Sequence, residues 1–419
     1  MAEGLQAALP REMYVDPHSW LAERDAVLLG EWFCLGRLDD LGLQHPRRVM
    51  SADVVGESVL VTSDEGGDLH ASYNVCRHRG SQLRPPTSPA CEASALRCPY
   101  HSWTYGLDGR LLKAPHADLP DPAAFGLAPV AVDTWGGFVF VHLSPERMTP
   151  LEEQVGRAGR TLVNYGLADL VTGRTFTYDV AANYKVLLEN YNECYHCGPV
   201  HPELSRLVPS FAGGGSDIDW DNGVPHREGA WTFTTTGTTT RASLPGLDKH
   251  ERTRHKGDLV YPNLMVSASA DHVAAFVLDP IAVDRTRVSC SLLFDADEAA
   301  QPDFDPSDAA DLWDLVNGQD WAVCESVQRG MSSRSYRHGW FAPMEDESLD
   351  IRRWLGTRLP SPVEPESSIE RSAPSIERND PSLERSAPSI EQGASSIEPR
   401  ASSIEQGASS IERSRDHDG

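Results

Sequence analysis

The segment ENYNECYHCGPVHP, which runs from Glu189 to Pro202, holds two histidines and two glutamates. Glu193 and His196 are three residues apart, so they share one face if this stretch is helical. His201 lies five residues beyond His196, and the Gly-Pro pair between them can break a helix and let the chain fold back. With a carboxylate from further along the chain, the two imidazoles would form a two-His-one-carboxylate face suited to non-haem Fe(II). The alternative is a structural helix whose histidines are merely polar.

The composition narrows the range of partners. The chain has 419 residues, with 37 basic and 62 acidic residues and a formal net charge of −25. This charge argues against nucleic acid or an anionic membrane as the main partner. The first residues lack the basic and apolar regions of a signal peptide, and no apolar run reaches the ~18 residues of a membrane span. Eight cysteines are too few for a disulfide scaffold at this length, so we expect a cytoplasmic protein.

Four regions differ in their sequence pattern. Residues 1–45 have the apolar spacing of a helical lead-in. Residues 46–148 hold short β-like runs such as SVLVTS and GGFVFVHL, separated by Gly, Pro and Asp. Residues 149–358 mix helical patterns with strand-like runs, which indicates an antiparallel sheet packed on helices. The fold class predicted is therefore α+β.

The last region, 359–419, repeats a Ser-Ile-Glu or Ser-Leu-Glu motif every seven residues. A coiled coil needs two apolar positions in each heptad and no prolines, whereas this repeat has one apolar position and is interrupted by prolines. The tail is therefore predicted to be low-complexity and disordered, and we assign it no chemistry.

Two short clusters in the β-rich region carry metal-binding side chains. The first is CRHRG, with Cys76 and His78, and the second is CPYHSWTYGLDG, with Cys98 and His101. Structural zinc takes such ligands, but a single residue between Cys76 and His78 is tight for binding one ion. The spacing suits two irons, one held by the cysteines and one by the histidines, as in a Rieske [2Fe–2S] cluster. Cys91, between the clusters, has no obvious partner and is interpreted as a loop thiol.

The third ligand of the proposed iron face should come from the C-terminal helical pattern DAADLWDLVNGQDWAVCESVQRGM. Asp320 lies in it, flanked by apolar residues that would bury the surrounding helix face. A carboxylate in such surroundings is either solvated on the far face or held by a cation. Because the two histidines need a third ligand, we favour Asp320.

With both clusters in place, residues 20–356 resemble the oxygenase α subunit of Rieske non-haem iron oxygenases, in the aromatic-ring-hydroxylating dioxygenase superfamily. The resemblance implies a Rieske domain (46–148) followed by a helix-grip, START-like catalytic domain (149–358), assembled as a homotrimer. The site residues it implies are Cys76, His78, Cys98 and His101 for the [2Fe–2S] cluster, His196, His201 and Asp320 for the mononuclear iron, and Glu193 as an electron bridge to a neighbouring subunit.

A glutamate at the bridge and the ECYHC-x-P-x-H run are similar to the glycine betaine/carnitine monooxygenase-like branch. This implies a small quaternary ammonium substrate that is hydroxylated on a methyl carbon with O2 and then loses formaldehyde. The chain has no GxGxxG nucleotide-binding signature, so a separate NAD(P)H-dependent reductase with flavin, ferredoxin or both must supply electrons.

The sequence leaves other functions open. A ring-hydroxylating dioxygenase or an O-demethylase would act on an aromatic compound, and a Rieske electron carrier would have no mononuclear iron. A structural zinc protein would be colourless. The aromatic residues of the catalytic region could line a pocket or form the core; these are Trp220, Trp231, Phe233, Tyr261 and Phe276.

Overall fold

The N-terminal segment runs along the C-terminal elements of the catalytic region. The computed structural model describes residues 4–215 and 218–359, so the repeat tail lies outside the described residues from position 360 on. Strand β1 (Gln6–Pro10) is followed by helices α1 (Glu12–Val15) and α2 (Pro17–Glu23). The expected helical lead-in thus also contains a strand, because β1 has a partner strand more than 300 residues later in the chain.

A seven-stranded antiparallel sheet follows, with a three-stranded sheet beside it. The strands of the larger sheet, in spatial order, are β2 (Phe33–Arg37), β11 (Phe138–His142), β10 (Pro129–Trp135), β5 (Leu69–Tyr73), β4 (Glu57–Ser63), β3 (Arg48–Val54) and β6 (Cys91–Glu92). The smaller sheet contains β7 (Leu96–Arg97), β8 (Thr104–Tyr105) and β9 (Leu111–Lys113). The cluster CRHRG follows β5, and the cluster CPYHSWTYGLDG begins directly after β7 and runs through β8, so the cysteine and the histidine of each cluster lie in a loop at a strand end.

The catalytic region is built on a six-stranded antiparallel sheet. Its strands, in spatial order, are β12 (Val171–Val180), β17 (Arg285–Phe294), β16 (His272–Ala282), β15 (Leu264–Ala268), β14 (Arg254–Val260) and β13 (Val224–Pro225). Its inward residues are apolar, and Phe276 of β16 lies opposite Cys290 of β17. Strand β18 (His338–Phe341) lies outside this sheet and pairs with β1.

The catalytic region also contains helices, several of which contact the sheet. They are α3 (Leu151–Thr161), α4 (Tyr184–Tyr191), α5 (Cys197–Val200), α6 (Pro202–Leu207), α7 (Pro209–Ala212), α8 (Ala296–Ala299), α9 (Ser307–Met331) and α10 (Asp350–Gly356). Short 3₁₀ turns lie at Pro122–Phe125, Val163–Tyr165, Leu167–Asp169, Glu251–Thr253 and Pro343–Leu349, and a π turn at Arg24–Leu28. Across the described ranges, no helix combines the length and the apolar character that crossing a bilayer requires.

Helix α4 carries the chain into the site. The Asn183 side chain accepts the Lys185 backbone N–H at 3.0 Å and so caps the helix start. The helix is buried along most of its length and packs against α9. Because α4 ends at Tyr191, the residues that follow it form a turn rather than another helical turn. The packing of α4 against α9 therefore brings the turn that holds His196 close to Asp320 on α9.

A buried polar layer joins the N-terminal segment to α4. The Tyr14 hydroxyl donates to the Glu189 carboxyl, and the Lys185 ammonium donates to both oxygens of Glu23 at 2.9 Å. The Tyr184 hydroxyl donates to the same Glu23 carboxylate at 2.5 Å. All these side chains are buried, so this part of the interface is held by hydrogen bonds between polar groups removed from water.

Stability should depend on pH through Glu189. Burial raises its pKa to about 8, against the opposing effects of the Tyr14 hydrogen bond and the Lys185 charge. Between about pH 5 and pH 8 the folded protein therefore keeps a proton that the unfolded chain has released, so the free energy of unfolding falls as the pH rises. We expect Glu189→Gln to flatten this dependence, by up to about 1.4 kcal/mol for each pH unit. Thermal unfolding measured across this range checks it, with the exposed Glu12→Gln as control; equal slopes in wild type and Glu189→Gln would contradict it.

Candidate active site

Two histidines and an aspartate converge between the end of α4 and the middle of α9. The ligand atoms of His196, His201 and Asp320 all lie within 4.8 Å of one another. Asp320 Oδ1 is 2.9 Å from His201 Nε2 and 3.3 Å from His196 Nε2. The carboxylate and the two imidazoles thus surround one position from the protein side, and the cavity lies on the other side of that position. The donor set fits an Fe(II) ion with open positions.

A turn, and not a helix face, brings Glu193 to His196. Glu193 lies beyond the end of α4, and its carboxylate accepts the backbone N–H groups of Tyr195 and His196, the second at 3.1 Å. Its other oxygen is 2.5 Å from His196 Nδ1. The prediction that these two side chains lie together holds in the structure, but the helical conformation assumed for it does not.

The Gly-Pro pair lies inside the short helix α5, between the two histidines. Gly198 faces the backbone of α7, where an added Cβ would meet the Ala212 carbonyl oxygen at 3.1 Å. The pair therefore lets α5 and α7 approach closely, and α5 ends at Val200 so that His201 turns inward. His201 is buried, whereas His196 is partly exposed.

Each histidine is oriented by a partner on its outer nitrogen. Gln319 Oε1 lies 2.7 Å from His201 Nδ1. The Glu193 carboxylate takes the same position beside Nδ1 of His196. In both imidazoles Nδ1–H can donate outward, which leaves Nε2 for a metal. Gln319 in turn donates to Glu203 at 3.3 Å. Sequence reasoning missed Gln319, and its position directly before Asp320 was the available signal.

The charges of the three groups support one another. Burial would lower the pKa of His196, but its bonds to Asp320 and Glu193 outweigh this and raise the pKa to about 10. Burial would raise the pKa of Asp320, but the two histidines outweigh this and lower it. The Nε2 proton of His196 thus occupies the place that a bound cation would take, and metal binding would have to release it.

A cavity of about 420 Å³ opens beside this group. Aromatic side chains make up much of its wall: Tyr191, Phe211, Trp220, Phe233, Tyr261, Phe276, Trp313 and Trp321. Four of the five aromatic residues considered from the sequence are among them. The fifth, Trp231, packs against a separate apolar core and does not line the cavity.

The indole of Trp313, in the cavity wall, is held by a buried chain of polar groups. Its Nε1–H donates to His272 Nε2 at 2.9 Å, so that nitrogen carries no proton and Nδ1–H donates to Asp271 Oδ1 at 2.8 Å. Burial would raise the pKa of Asp271, but His272, Thr232 and Arg241 outweigh it and lower the pKa to about 2. The three side chains thus form one hydrogen-bonded chain, which fixes the indole in one orientation.

The two cysteine-histidine loops form a second group. Cys76 and Cys98 are buried, whereas His78 and His101 are exposed with ring centroids 4.7 Å apart. The thiols thus lie together inside and the imidazoles together at the surface. This two-plus-two donor set fits a [2Fe–2S] cluster, in which the two cysteines would hold one iron and the two histidines the other.

Local contacts shape these loops. The Cys76 N–H donates to the Ser81 carbonyl at 2.9 Å, and the Cys98 N–H to the Trp103 carbonyl at 2.8 Å. Tyr105 Oη lies 3.2 Å from Cys76 Sγ, and the Trp103 ring stacks on His78. Burial would raise the pKa of Cys98, but backbone N–H groups and Cys76 outweigh it and lower the pKa, which favours the thiolate that iron binds.

The remaining cysteines differ from expectation at two places, because Cys91 lies on strand β6 rather than in a loop and one pair forms an unexpected disulfide. Cys91 is exposed at β6 and lies near the Arg84 guanidinium, whose Nη1 is 3.0 Å from its sulfur. Cys194 and Cys197, which flank His196, are joined as a disulfide. Sequence reasoning assigned no pair here, although the C-x-x-C spacing was visible.

Two family models match the chain in succession. Residues 31–124 match "Rieske [2Fe-2S] domain", and residues 167–361 match "Ring hydroxylating alpha subunit (catalytic domain)". The first range contains both cysteine-histidine loops. The second contains the three residues around the proposed iron position.

Among curated proteins, the chain is similar to two kinds of oxygenase subunit. It is 28% identical over 396 residues to the glycine betaine monooxygenase oxygenase subunit of Pseudomonas aeruginosa, covering 86% of this chain and 91% of the relative. It is 28% identical over 338 residues to the carnitine monooxygenase oxygenase subunit of Escherichia coli K12, covering 78% and 85%.

Solved structures share the fold. The quaternary ammonium Rieske monooxygenase CntA in complex with gamma-butyrobetaine superposes with a TM-score of 0.66 at 24% identity, covering 85% of this chain and 97% of that one. Naphthalene 1,2-dioxygenase from Rhodococcus sp. gives 0.65 at 18% identity, covering 84% and 95%. A Rieske domain followed by a mixed helix-and-sheet catalytic domain is thus the architecture of the chain.

Proposed function

This chain belongs to the Rieske non-haem iron oxygenases, and we propose that within this family its substrate is a small quaternary ammonium compound. As an oxygenase subunit it works with a separate reductase. We propose that this reductase draws electrons from NAD(P)H through flavin, ferredoxin or both, and that the oxygenase is a cytoplasmic homotrimer. For the domains we propose residues 46–148 and 149–358.

The observation that carries the substrate proposal is the aromatic wall of the cavity. A cation is attracted to the face of an aromatic ring, and the attraction is strongest where water is excluded. Trp220, Tyr261 and Phe276 are among the rings that surround the space next to His196 and Asp320. Relatives named for glycine betaine and carnitine act on compounds with such a head group, which supports the same class here.

The residues have separate tasks in this proposal. Cys76, His78, Cys98 and His101 would hold the [2Fe–2S] cluster, and His196, His201 and Asp320 would hold the iron. When bound, the two groups supply electron storage and oxygen activation. Gln319 and Glu193 hold the outer nitrogens of the two histidines, so that both imidazoles keep Nε2 toward the iron position. The aromatic wall excludes water and places an N-methyl group beside the open side.

Glu193 has a further proposed task. Its carboxylate lies against His196 Nδ1, and the two cluster histidines are exposed at the surface of the chain. In a trimer such a surface histidine of one subunit could approach Glu193 of the next, so that the carboxylate links the two imidazoles. We propose this link as the path by which electrons reach the iron position.

The overall reaction balances as an N-demethylation. One oxygen atom of O2 enters a methyl C–H bond, and the other is reduced to water by two electrons from NAD(P)H and two protons. The C–N bond of the hydroxymethyl product then breaks, which releases formaldehyde and leaves a tertiary amine.

Turnover of a substrate panel tests the proposal. The purified oxygenase with a reductase and NADH is supplied with quaternary ammonium compounds and, separately, with aromatic compounds, and formaldehyde, diols and O2 uptake are measured. We expect formaldehyde from a quaternary ammonium compound, and none from the His201→Ala variant. A cis-diol or a phenol from an aromatic compound alone would replace the proposed substrate class. Reduction of the cluster without any substrate oxidation would instead indicate an electron carrier.

A further inference from the structure

Acidic side chains outnumber basic ones on the cavity wall. Leaving aside the proposed iron ligands and Glu193, the charged residues of the wall are Glu153, Arg157, Asp258, Glu347 and Asp350. Among the described residues that line the cavity, Arg157 is the one lysine or arginine. A histidine nearby does not add charge, because burial lowers the pKa of His255 well below its usual range.

Arg157 already has carboxylate partners. Its Nε donates to Asp221 Oδ1 at 2.8 Å, and its Nη1 lies 3.8 Å from Asp258 Oδ1. Asp258 is buried, so bulk water does not solvate its negative charge, and the Arg157 guanidinium is the cation that balances this charge. A substrate carboxylate that bound Arg157 would have to displace one of these partners and leave it uncompensated.

The other carboxylates leave the wall with surplus negative charge. Asp350 is compensated from outside the cavity by Arg353, whose Nη1 lies 2.8 Å from it. Within the described part of the chain, Glu153 and Glu347 form no ion pair. Partial burial raises the pKa of Glu347 to about 7, and Asp350, Asp221 and Asp258 add to this against the opposing charge of Arg157. The carboxylates thus repel one another, and an added cation would relieve the repulsion.

We propose that the substrate is a cation without a carboxylate, of the quaternary ammonium alcohol or alkylamine class, and that zwitterionic betaines are disfavoured. This inference rests on the proposed function, because it concerns the same cavity. The aromatic rings accept the methylated head group, and the surplus carboxylates attract its charge. The carboxylate of a zwitterion would add a negative charge to a cavity wall that already has surplus negative charge. The one guanidinium of this wall, on Arg157, is already paired.

Three ligands of similar size separate charge from shape. Choline and glycine betaine share the trimethylammonium head and differ in a hydroxymethyl against a carboxylate group. The alcohol 3,3-dimethyl-1-butanol has the shape of choline without its charge. In calorimetric titrations of the oxidised holoenzyme, we expect choline to bind at least about 10-fold more tightly than either of the others, and formaldehyde formation to follow the same order.

Variants identify the source of the preference. Asp258→Asn and Glu347→Gln should raise the dissociation constant of choline severalfold and leave that of 3,3-dimethyl-1-butanol unchanged. Glu347 is much more accessible to solvent than the buried Asp258, so its variant should fold normally even if Asp258→Asn does not. Glu152→Gln on α3 is the matched control, because this exposed glutamate does not line the cavity, and it should change neither constant. Arg157→Gln should leave choline binding equal or tighter.

The outcomes separate the inference from the proposed function. Glycine betaine binding as tightly as choline, with loss of that binding in Arg157→Gln, would overturn the inference and keep the quaternary ammonium class. Equal binding of choline and its uncharged analogue would also overturn it. If neither quaternary ammonium compound binds or turns over, the inference and the proposed function fail together.

Discussion

Replacing Asp320 with alanine is expected to lower the iron content from about three to about two atoms per chain, with about two acid-labile sulfides retained. Asp320 supplies the carboxylate of the three-residue group, and its Oδ1 contacts both histidines. Two imidazoles alone should bind Fe(II) too weakly to retain it through purification. Iron and sulfide analysis, with the visible spectrum of the cluster, measures the change, and substrate oxidation should disappear with the iron.

A control on the same helix separates metal loss from misfolding. Asp311 is an exposed carboxylate of α9, nine residues before Asp320, and Asp311→Ala should keep all the iron and the activity. Retention of about three irons by Asp320→Ala would contradict the assignment of this ligand. If the cluster spectrum were lost as well, the variant would have unfolded, and His201→Ala would provide the second test.

Replacing Glu193 with glutamine should separate metal binding from electron delivery. The amide oxygen can still accept a hydrogen bond from His196 Nδ1–H, so we expect both the iron and the cluster to be retained. The negative charge is lost, and with it the proposed link to a neighbouring subunit. We expect substrate oxidation to fall about 10- to 100-fold. In stopped-flow measurements, the reduced cluster mixed with substrate and O2 should be reoxidised more slowly by a similar factor.

The matched variant is Glu203→Gln. Glu203 contacts Gln319 and so reaches the other histidine only through an intermediate residue; like Glu193, it is neither fully buried nor fully exposed. It should slow reoxidation by no more than about 3-fold. Unchanged reoxidation in Glu193→Gln would remove the bridge from the proposal. Loss of iron in that variant would show instead that the glutamate acts only by orienting His196.

The proximity of the predicted site residues could be inferred where they are close in sequence, as in the two cysteine-histidine loops and in the segment from Glu193 to His201. The two loops place Cys76 and His78, and Cys98 and His101, within three residues of each other, so local spacing restricts the chemistry. The proximity of Asp320 to His196 was inferred only from the need for a third ligand, and the structure brings the two side chains together. The membership of the family was confirmed by the two successive family models.

The walls of the cavity were not predictable in the same way. They come from strands, helices and loops that are distant in sequence, so no local pattern separates a cavity residue such as Trp220 from a core residue such as Trp231. The chain from Trp313 to His272 and Asp271 also depends on tertiary packing. Strand β1 has too little apolar alternation to identify it without its partner β18.

The contact between the two ends of the described chain bears on the order in which it folds. Arg11 donates to the carbonyl of Met331, 320 residues away, and β1 pairs with β18. During synthesis the first fifteen residues therefore emerge from the ribosome long before their binding surface exists. Tyr14 donates to Glu189 on α4, whereas the strand that pairs with the neighbouring β1 is made only after that helix. Pairing of β1 with β18 is then among the last steps of folding, so from its own synthesis until β18 is made α4 lacks this fixed cover and is open to water and to chaperones.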